Sequence, residues 1–394
     1  MTVGIWSTEE AAFDGEHGYS ERIAVLRRRM RRLGIAAVAV ASPENIYYLI
    51  GLDHLGYFAF TLLVVPRRGE PTLITRAVER PTVRAQVPWC RHVVFGEEES
   101  ASVAAASVLA EVARPGGTVA LDQDSMFFPP SIAAQISSLA PGVRWTNGSS
   151  LLAEQRAVKT AVEIEHLRRA AILSDRAMAA GLAALRPGVP QRRVAARVYQ
   201  TMIAGGGEPP GFAPLIRPVS VLEQEHVSWS DGVVEPGHGW FFELSASVRR
   251  YHAPLSRTAY IGAAPAGAEE AAEAALAGLV AAREALRPGA RTGEVYAAWE
   301  RAVAGHPAPA WPLRHHCGYL VGVGFPPSWV GGGQVLGIRA GGQVRIAAGM
   351  TFHLMSWVAR PVGHVISDTA LVTPAGAELL TTTPRELTVL RRGA

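Results

Sequence analysis

The string Leu185-Arg-Pro-Gly returns as Leu286-Arg-Pro-Gly, an offset of 101 residues. Each copy closes a long amphipathic helix pattern, VKTAVEIEHLRRAAILSDRAMAAGLAAL before the first and AEEAAEAALAGLVAAREAL before the second. At the same offset Val194 and Val295 open the next helices, and each copy then runs into strands, roughly over 211–262 and 317–373. A duplication this long inside one domain restricts the chain to a pseudo-twofold α+β fold with a site between its halves. Arg-Pro-Gly is also an ordinary helix stop followed by a turn, so coincidence is the competing explanation.

The chain before this repeat has a different texture. Ile23, Leu26, Met30 and Leu33 recur at helical spacing and Gly34 follows as a stop. IAAVAVAS (35–42) reads as a buried strand, 60–75 as a hairpin and 92–96 as another strand. A helix over 102–113, a strand over 118–122 and a helix over 130–139 complete an α/β unit. With 394 residues the chain is long enough for two domains. The expected division is an α/β N-terminal domain over 1–152 and an α+β domain with an internal pseudo-twofold over 153–394.

Composition narrows the function classes. The chain is 48% hydrophobic and 18% charged, which supports a sizeable core. Lys159 is the only lysine, the other basic residues are arginines, and the net charge is only +4. The longest basic run, RRRMRR at 27–32, lies in an amphipathic helix pattern, so no nucleic-acid partner is expected. No stretch approaches the ~18 consecutive apolar residues of a membrane span. Cys90 and Cys317 make neither a disulfide framework nor a zinc motif, and the N-terminal residues are acidic without a hydrophobic leader core. A cytoplasmic protein is expected.

The chemistry-bearing strings lie in 225–262, 314–329 and 349–373. His226, between Glu225 and Trp229, sits at an expected strand end, where an imidazole can exchange protons near neutral pH; a surface loop histidine is the plainer alternative. Glu243 interrupts the apolar run Trp240-Phe241-Phe242-Leu244, so its carboxylate is expected to be buried, as part of a site or of a structural ion pair with Arg249, Arg250, His252 or Arg257.

Together these strings resemble the pita-bread superfamily of aminopeptidase P, methionine aminopeptidase and creatinase, and within it the ectoine hydrolase-like, metal-independent members. The resemblance covers nearly the whole chain. It rests on Asn45-Ile-Tyr-Tyr-Leu-Ile-Gly51, Arg156-Ala-Val-Lys159, His226-Val-Ser-Trp-Ser-Asp231, Glu243-Leu, Arg250-Tyr-His-Ala-Pro-Leu-Ser-Arg-Thr258, Gly318-Tyr319, Phe325-Pro-Pro-Ser-Trp329 and Gly349-Met-Thr-Phe-His353. Metal-dependent members hold two divalent ions with two Asp, one His and two Glu. Laid on this sequence, those positions are Glu243, Pro254, Tyr319, Met355 and Ser367. One carboxylate does not make a dinuclear hard-metal site, so no metal and no cofactor are expected and an Xaa-Pro metallopeptidase is disfavoured.

By position, the resemblance makes His226 the catalytic acid/base. Glu243 would hold a cationic amidinium or activate a water, and Tyr319 would donate a hydrogen bond to a carboxylate or oxyanion. Trp229, Tyr251, Phe325 and Trp329 would form aromatic walls around a small cation. His252, Arg257, His315, Met355 and Asp368 complete the expected substrate contacts, with His315 and His316 as a second acid/base or a structural pair. The resemblance further implies a homodimer in which Tyr47, Tyr48 and His54 reach the partner's site. The leading expectation is hydrolysis of a C–N bond in a small amidine, guanidine or cyclic amino-acid derivative. A non-hydrolytic lyase or tailoring enzyme on the same site, and an inert binding protein of this fold, are the alternatives.

Overall fold

The computed structural model describes residues 18–306, 314–333, 335–360 and 362–391. The leader reading concerns residues 1–17 and lies outside the described residues. The chain divides into two compact units, Met1–Arg156 with Gly331–Gln334, and Ala157–Val330 with Val335–Ala394.

The first unit alternates helix and strand as the periodicities require. Helix α1 (Tyr19–Leu33) buries Ile23, Leu26 and Met30 and stops at Gly34, whose left-handed φ of 70° suits a residue without Cβ. Strand β1 (Ile35–Val40) is the hub of a six-stranded sheet. It pairs antiparallel with β2 (Leu62–Pro66) and parallel with β5 (Thr118–Leu121). Strands β3 (Thr72–Arg76) and β4 (Arg91–Phe95) extend one edge and β6 (Arg144–Asn147) the other. Helix α2 (Pro43–Ile50) carries Tyr47 and Tyr48. Both are buried, and the Arg22 guanidinium lies 4.2 Å over the Tyr48 ring. His54 is also enclosed, 3.5 Å from Glu79. Tyr48 is thus core of this unit rather than a side chain reaching outward, because its ring is spent on packing.

The second unit contains the repeat. The first copy is α3 (Ala161–Ala184), α4 (Gln191–Ala204), β7 (Leu215–Pro218), β8 (Gly239–Leu244) and β11 (Leu255–Ile261), with the short ribbon β9 (Ser247–Val248) and β10 (Tyr251–His252) inserted. The second is α5 (Ala268–Ala285), α6 (Thr292–Ala304), β12 (His316–Leu320), β14 (Thr351–Val358) and β15 (His364–Thr373). Between β12 and β14 lies the short β13 (Gly337–Arg339). The sheet order is β13-β12-β14-β15-β11-β8-β7. Setting the edge strand β13 aside, each copy contributes three strands and the order mirrors about the β15–β11 seam, as a twofold duplication demands. Helix α3 opens with a capping box in which Thr160 and Glu163 satisfy each other's backbone N–H groups. Helices α5 and α6 bury Leu279, Val295 and Trp299 against Phe352, Leu354 and Ile366. The helices cover one face of the sheet, leaving side chains of the other face to build a site. Among the described residues, no helix is long and apolar enough to cross a membrane.

Candidate active site

The seam aligns one row of side chains across five strands. Leu215 pairs with Glu243, Glu243 with Ser256, Ser256 with Ser367, and Ser367 with Met355. Of these five only Glu243 ionises. Its strand is apolar on both faces, with Trp240, Phe241 and Phe242 fully buried, so the carboxylate is carried into the protein on a rigid support.

Glu243 faces a cavity of about 270 Å³. That is below the ~300–1,000 Å³ of drug-sized sites and suits a small metabolite. Leu215, Met355, Trp357, Trp329 and Phe212 supply apolar wall. Arg217 and Arg314 supply positive charge, while Glu225, His226, His315 and His316 close the rim. Burial raises the Glu243 carboxyl from 4.5 to about 7; Arg314 and Arg217 pull it down and Glu225 pushes it up. A carboxyl poised there exchanges a proton at neutral pH, and it gains its charge when a cation arrives. A larger depression of about 880 Å³ lies around Tyr260 and Pro265, but its charges Glu223 and Arg360 are already paired at 2.9 Å.

His226 lies on a turn after β7 rather than at a strand end, with a left-handed φ of 57°. Such a backbone is strained for a residue with a Cβ and recurs at functional sites. Two contacts hold the turn: Arg217 donates from Nη1 to the Val227 carbonyl and from Nη2 to the Leu222 carbonyl, each at 3.2 Å. The exposed imidazole stacks on Phe212 at 6.0 Å, and Phe212 meets Trp329 edge-on at 4.8 Å. His226 and Glu243 therefore open onto one cavity.

Behind Glu243 runs a closed polar chain. Trp329 Nε1 is 3.0 Å from the Tyr319 hydroxyl, which is 2.9 Å from His353 Nδ1; His353 Nε2 is 2.6 Å from Ser367 Oγ. An indole N–H only donates, so the Tyr319 oxygen accepts from Trp329, while the direction of its contact with His353 Nδ1 follows the tautomer of that ring. Burial drives His353 down to about 3, keeping it neutral, and raises the Tyr319 phenol well above its ordinary value. His353 Nδ1 lies 4.0 Å from Glu243 Oε1, beyond hydrogen-bond reach. Tyr319 lines the cavity, with its hydroxyl in contact with both Trp329 and His353. His315 and His316 meet at 3.0 Å, and burial lowers His316 to about 4.

The structure thus brings together His226, Glu243, Tyr319, His315, Trp329 and Met355. Six other expected contacts lie elsewhere. Asp368 and Arg257 stand one residue beyond Ser367 and Ser256, and strand alternation turns them to the opposite face. There Asp368 accepts from Arg257 Nη2 (2.9 Å), Arg385 Nε (2.6 Å) and Thr381 Oγ1 (2.7 Å) in full burial. His252 is neutral and structural: burial lowers it to about 3, Nδ1 faces the Arg250 carbonyl and Nε2 accepts from the Gly211 amide. Tyr251 donates to Glu163 at 2.6 Å, pinning the start of α3. Phe325 packs beneath the Arg250 guanidinium at 4.7 Å, and Trp229 meets Tyr199 edge-on. Sequence reasoning did not single out Arg217, Arg314 or Phe212. Arg314 opens the 314–329 string, RHHCGYL at its start, the one available signal.

A dinuclear metal site does not fit this donor set. The row offers one carboxylate, flanked by two guanidinium groups that repel a divalent cation. Burial keeps the Tyr319 phenol protonated, His353 Nδ1 is occupied by that hydroxyl, and Met355 and Ser367 occupy two of the five positions. Among the described residues, no group of three His, Cys, Asp or Glu side chains could hold a metal ion.

Comparison with known proteins identifies the lineage. The model of metallopeptidase family M24 matches residues 165–374, over half of the chain, and the creatinase/prolidase N-terminal domain matches 22–158. The chain belongs to family M24. Within that family, ectoine hydrolase from Halomonas elongata is 27% identical over 94% of this chain and 97% of its own length. The Xaa-Pro dipeptidase of Pyrococcus furiosus is 24% identical over 93% of this chain and 99% of its own. The crystal structure of a prolidase from Thermococcus sibiricus superposes with a TM-score of 0.83 at 19% identity, covering 94% of this chain and 99% of that one. The last likeness shows the two-domain pita-bread fold alone. An M24 sheet here carries a site whose donors differ from a metal cradle.

Proposed function

We propose that this M24 member is a metal-independent hydrolase that cleaves a C–N bond of a small amidine, guanidine or cyclic amino-acid derivative. One observation carries the reading: the Glu243 carboxylate, raised to about 7 in an aromatic cavity, faces the same space as an exposed imidazole on a strained turn. An arriving amidinium favours ionised Glu243, which holds it as a counter-ion within the aromatic walls. His226 takes a proton from a water as its oxygen bonds to the amidine carbon. The resulting tetrahedral adduct collapses when His226 returns that proton to the departing nitrogen and the C–N bond breaks. Dipeptide hydrolysis is less favoured, because the site lacks the carboxylates that would hold metal against a peptide carbonyl.

The reading includes a homodimer in the cytoplasm, which light scattering and fractionation test. The direct test is steady-state kinetics on a panel of cyclic amidines and guanidino acids, beginning with ectoine. His226→Ala should lower kcat by roughly 10²–10⁴ with little change in affinity, the usual share of acid–base catalysis. Turnover at the parent rate in that variant would overturn the mechanism.

A further inference from the structure

We infer that Arg314 is the seat of a carboxylate carried by the substrate, and that Glu225 occupies this seat as a stand-in while the cavity is free. The inference rests on the hydrolase reading and deepens it, making the substrate a zwitterion whose cationic end meets Glu243.

The Arg314 side chain is only 13% exposed and lies 4.1 Å over the Trp357 ring, so most of its hydration is gone. Nη2 has a partner, Glu225 Oε2 at 2.5 Å. Nε and Nη1 are buried with none among the described residues, and neither has Arg217 Nε in the same cavity wall. Unmet donors on buried guanidinium groups are costly, and a protein keeps such groups where a ligand completes them.

The shape of the fork specifies the ligand. A carboxylate binds guanidinium through two parallel N–H···O bonds, along the Nε–Nη2 edge or the Nη1–Nη2 end. Both arrangements use Nη2, the nitrogen Glu225 holds. A two-oxygen anion therefore binds fully only when Glu225 leaves. Glu225 is the member of the pair that can leave: it is exposed, sits on a turn, and water solvates its carboxylate once it swings away, whereas Arg314 is fixed over Trp357. The exchange happens one residue from His226, while Arg217 keeps its hold on Leu222 and Val227 at the ends of the turn. Occupation of the seat is thus sensed next to the catalytic imidazole.

Titration calorimetry on the full-length protein tests this with three probes: ectoine, its carboxamide, which keeps the amidine but lacks the anion, and propionate, which is the anion alone. Ectoine should bind roughly 10–100-fold more tightly than the carboxamide, the range for losing a charge-paired contact. Glu225→Gln removes the resident competitor and should tighten ectoine and propionate by about 3–10-fold, with the carboxamide unchanged within about 2-fold. Arg314→Gln should abolish the difference between acid and amide. Equal binding of acid and amide, weaker acid binding in Glu225→Gln, or no binding of any probe overturns the inference. If the acid–amide gap persists but no probe is hydrolysed, the seat stands and the hydrolase reading falls. Equal hydrolysis and binding of acid and amide give the reverse.

Discussion

Replacing Glu243 by Gln keeps the shape of the cavity and removes its titrating group. In the folded protein the carboxyl sits at about 7, against an ordinary 4.5. The folded state therefore binds this proton more tightly than the unfolded chain. A raised carboxyl leaves stability intact below about pH 4.5 and withdraws it as pH climbs towards 7, the reverse of a salt-bridged acid. Integrating that linkage between pH 5 and pH 8 gives a loss of roughly 2–3 kcal/mol from this one group, at ~1.36 kcal/mol per unit. Urea unfolding of parent and Glu243→Gln at several pH values isolates the term, since all other titrations cancel in the difference. The variant's advantage should widen by roughly 2–3 kcal/mol from pH 5 to pH 8. A difference that stays flat with pH would show that Glu243 is not held near 7 and would remove the basis for its poised charge. The same ionisation makes kcat/KM rise as pH passes through 7, because the ionised form holds the cation.

Two further substitutions separate structure from chemistry. Asp368→Asn strands Arg257 in full burial and should cost about 3–5 kcal/mol of stability, the usual penalty for breaking a buried pair. Its KM should stay at the parent value, and a specific rise in KM without loss of stability would return Asp368 to the site. Tyr319→Phe removes the hydroxyl contact with His353 and leaves the Trp329 indole N–H unmet, at roughly 1–3 kcal/mol in thermal or chemical unfolding. Activity at permissive temperature should fall by less than about 10-fold, and a larger loss would make the phenol a catalytic group.

Much of the architecture was legible because it rests on periodicity. The repeated helix ends at Leu185 and Leu286 foretold a sheet that mirrors about its seam, and the apolar run around Glu243 foretold a buried carboxylate. Asp368 and Arg257 were grouped with the site through the family resemblance, but strand side chains alternate, so a one-residue step from Ser367 or Ser256 changes the face. Tyr251, Phe325 and Trp229 are aromatics near the motifs whose direction depends on a ribbon and loops that no period specifies. Arg217 and Arg314 were illegible for the opposite reason. Their meaning comes from partners distant in the chain, Arg314 with Glu225 being 89 residues apart, and from hydrogen bonds they do not make.

The central claim is that one carboxylate and one imidazole do the work that a pair of divalent ions does elsewhere on this fold. The most direct measurement is ectoine turnover, followed by proton NMR, before and after exhaustive dialysis against a strong chelator, with the metal content of the same samples determined. The account predicts an unchanged rate at a metal content far below one ion per chain. A rate that vanishes on dialysis and returns with added manganese, cobalt or zinc would contradict it.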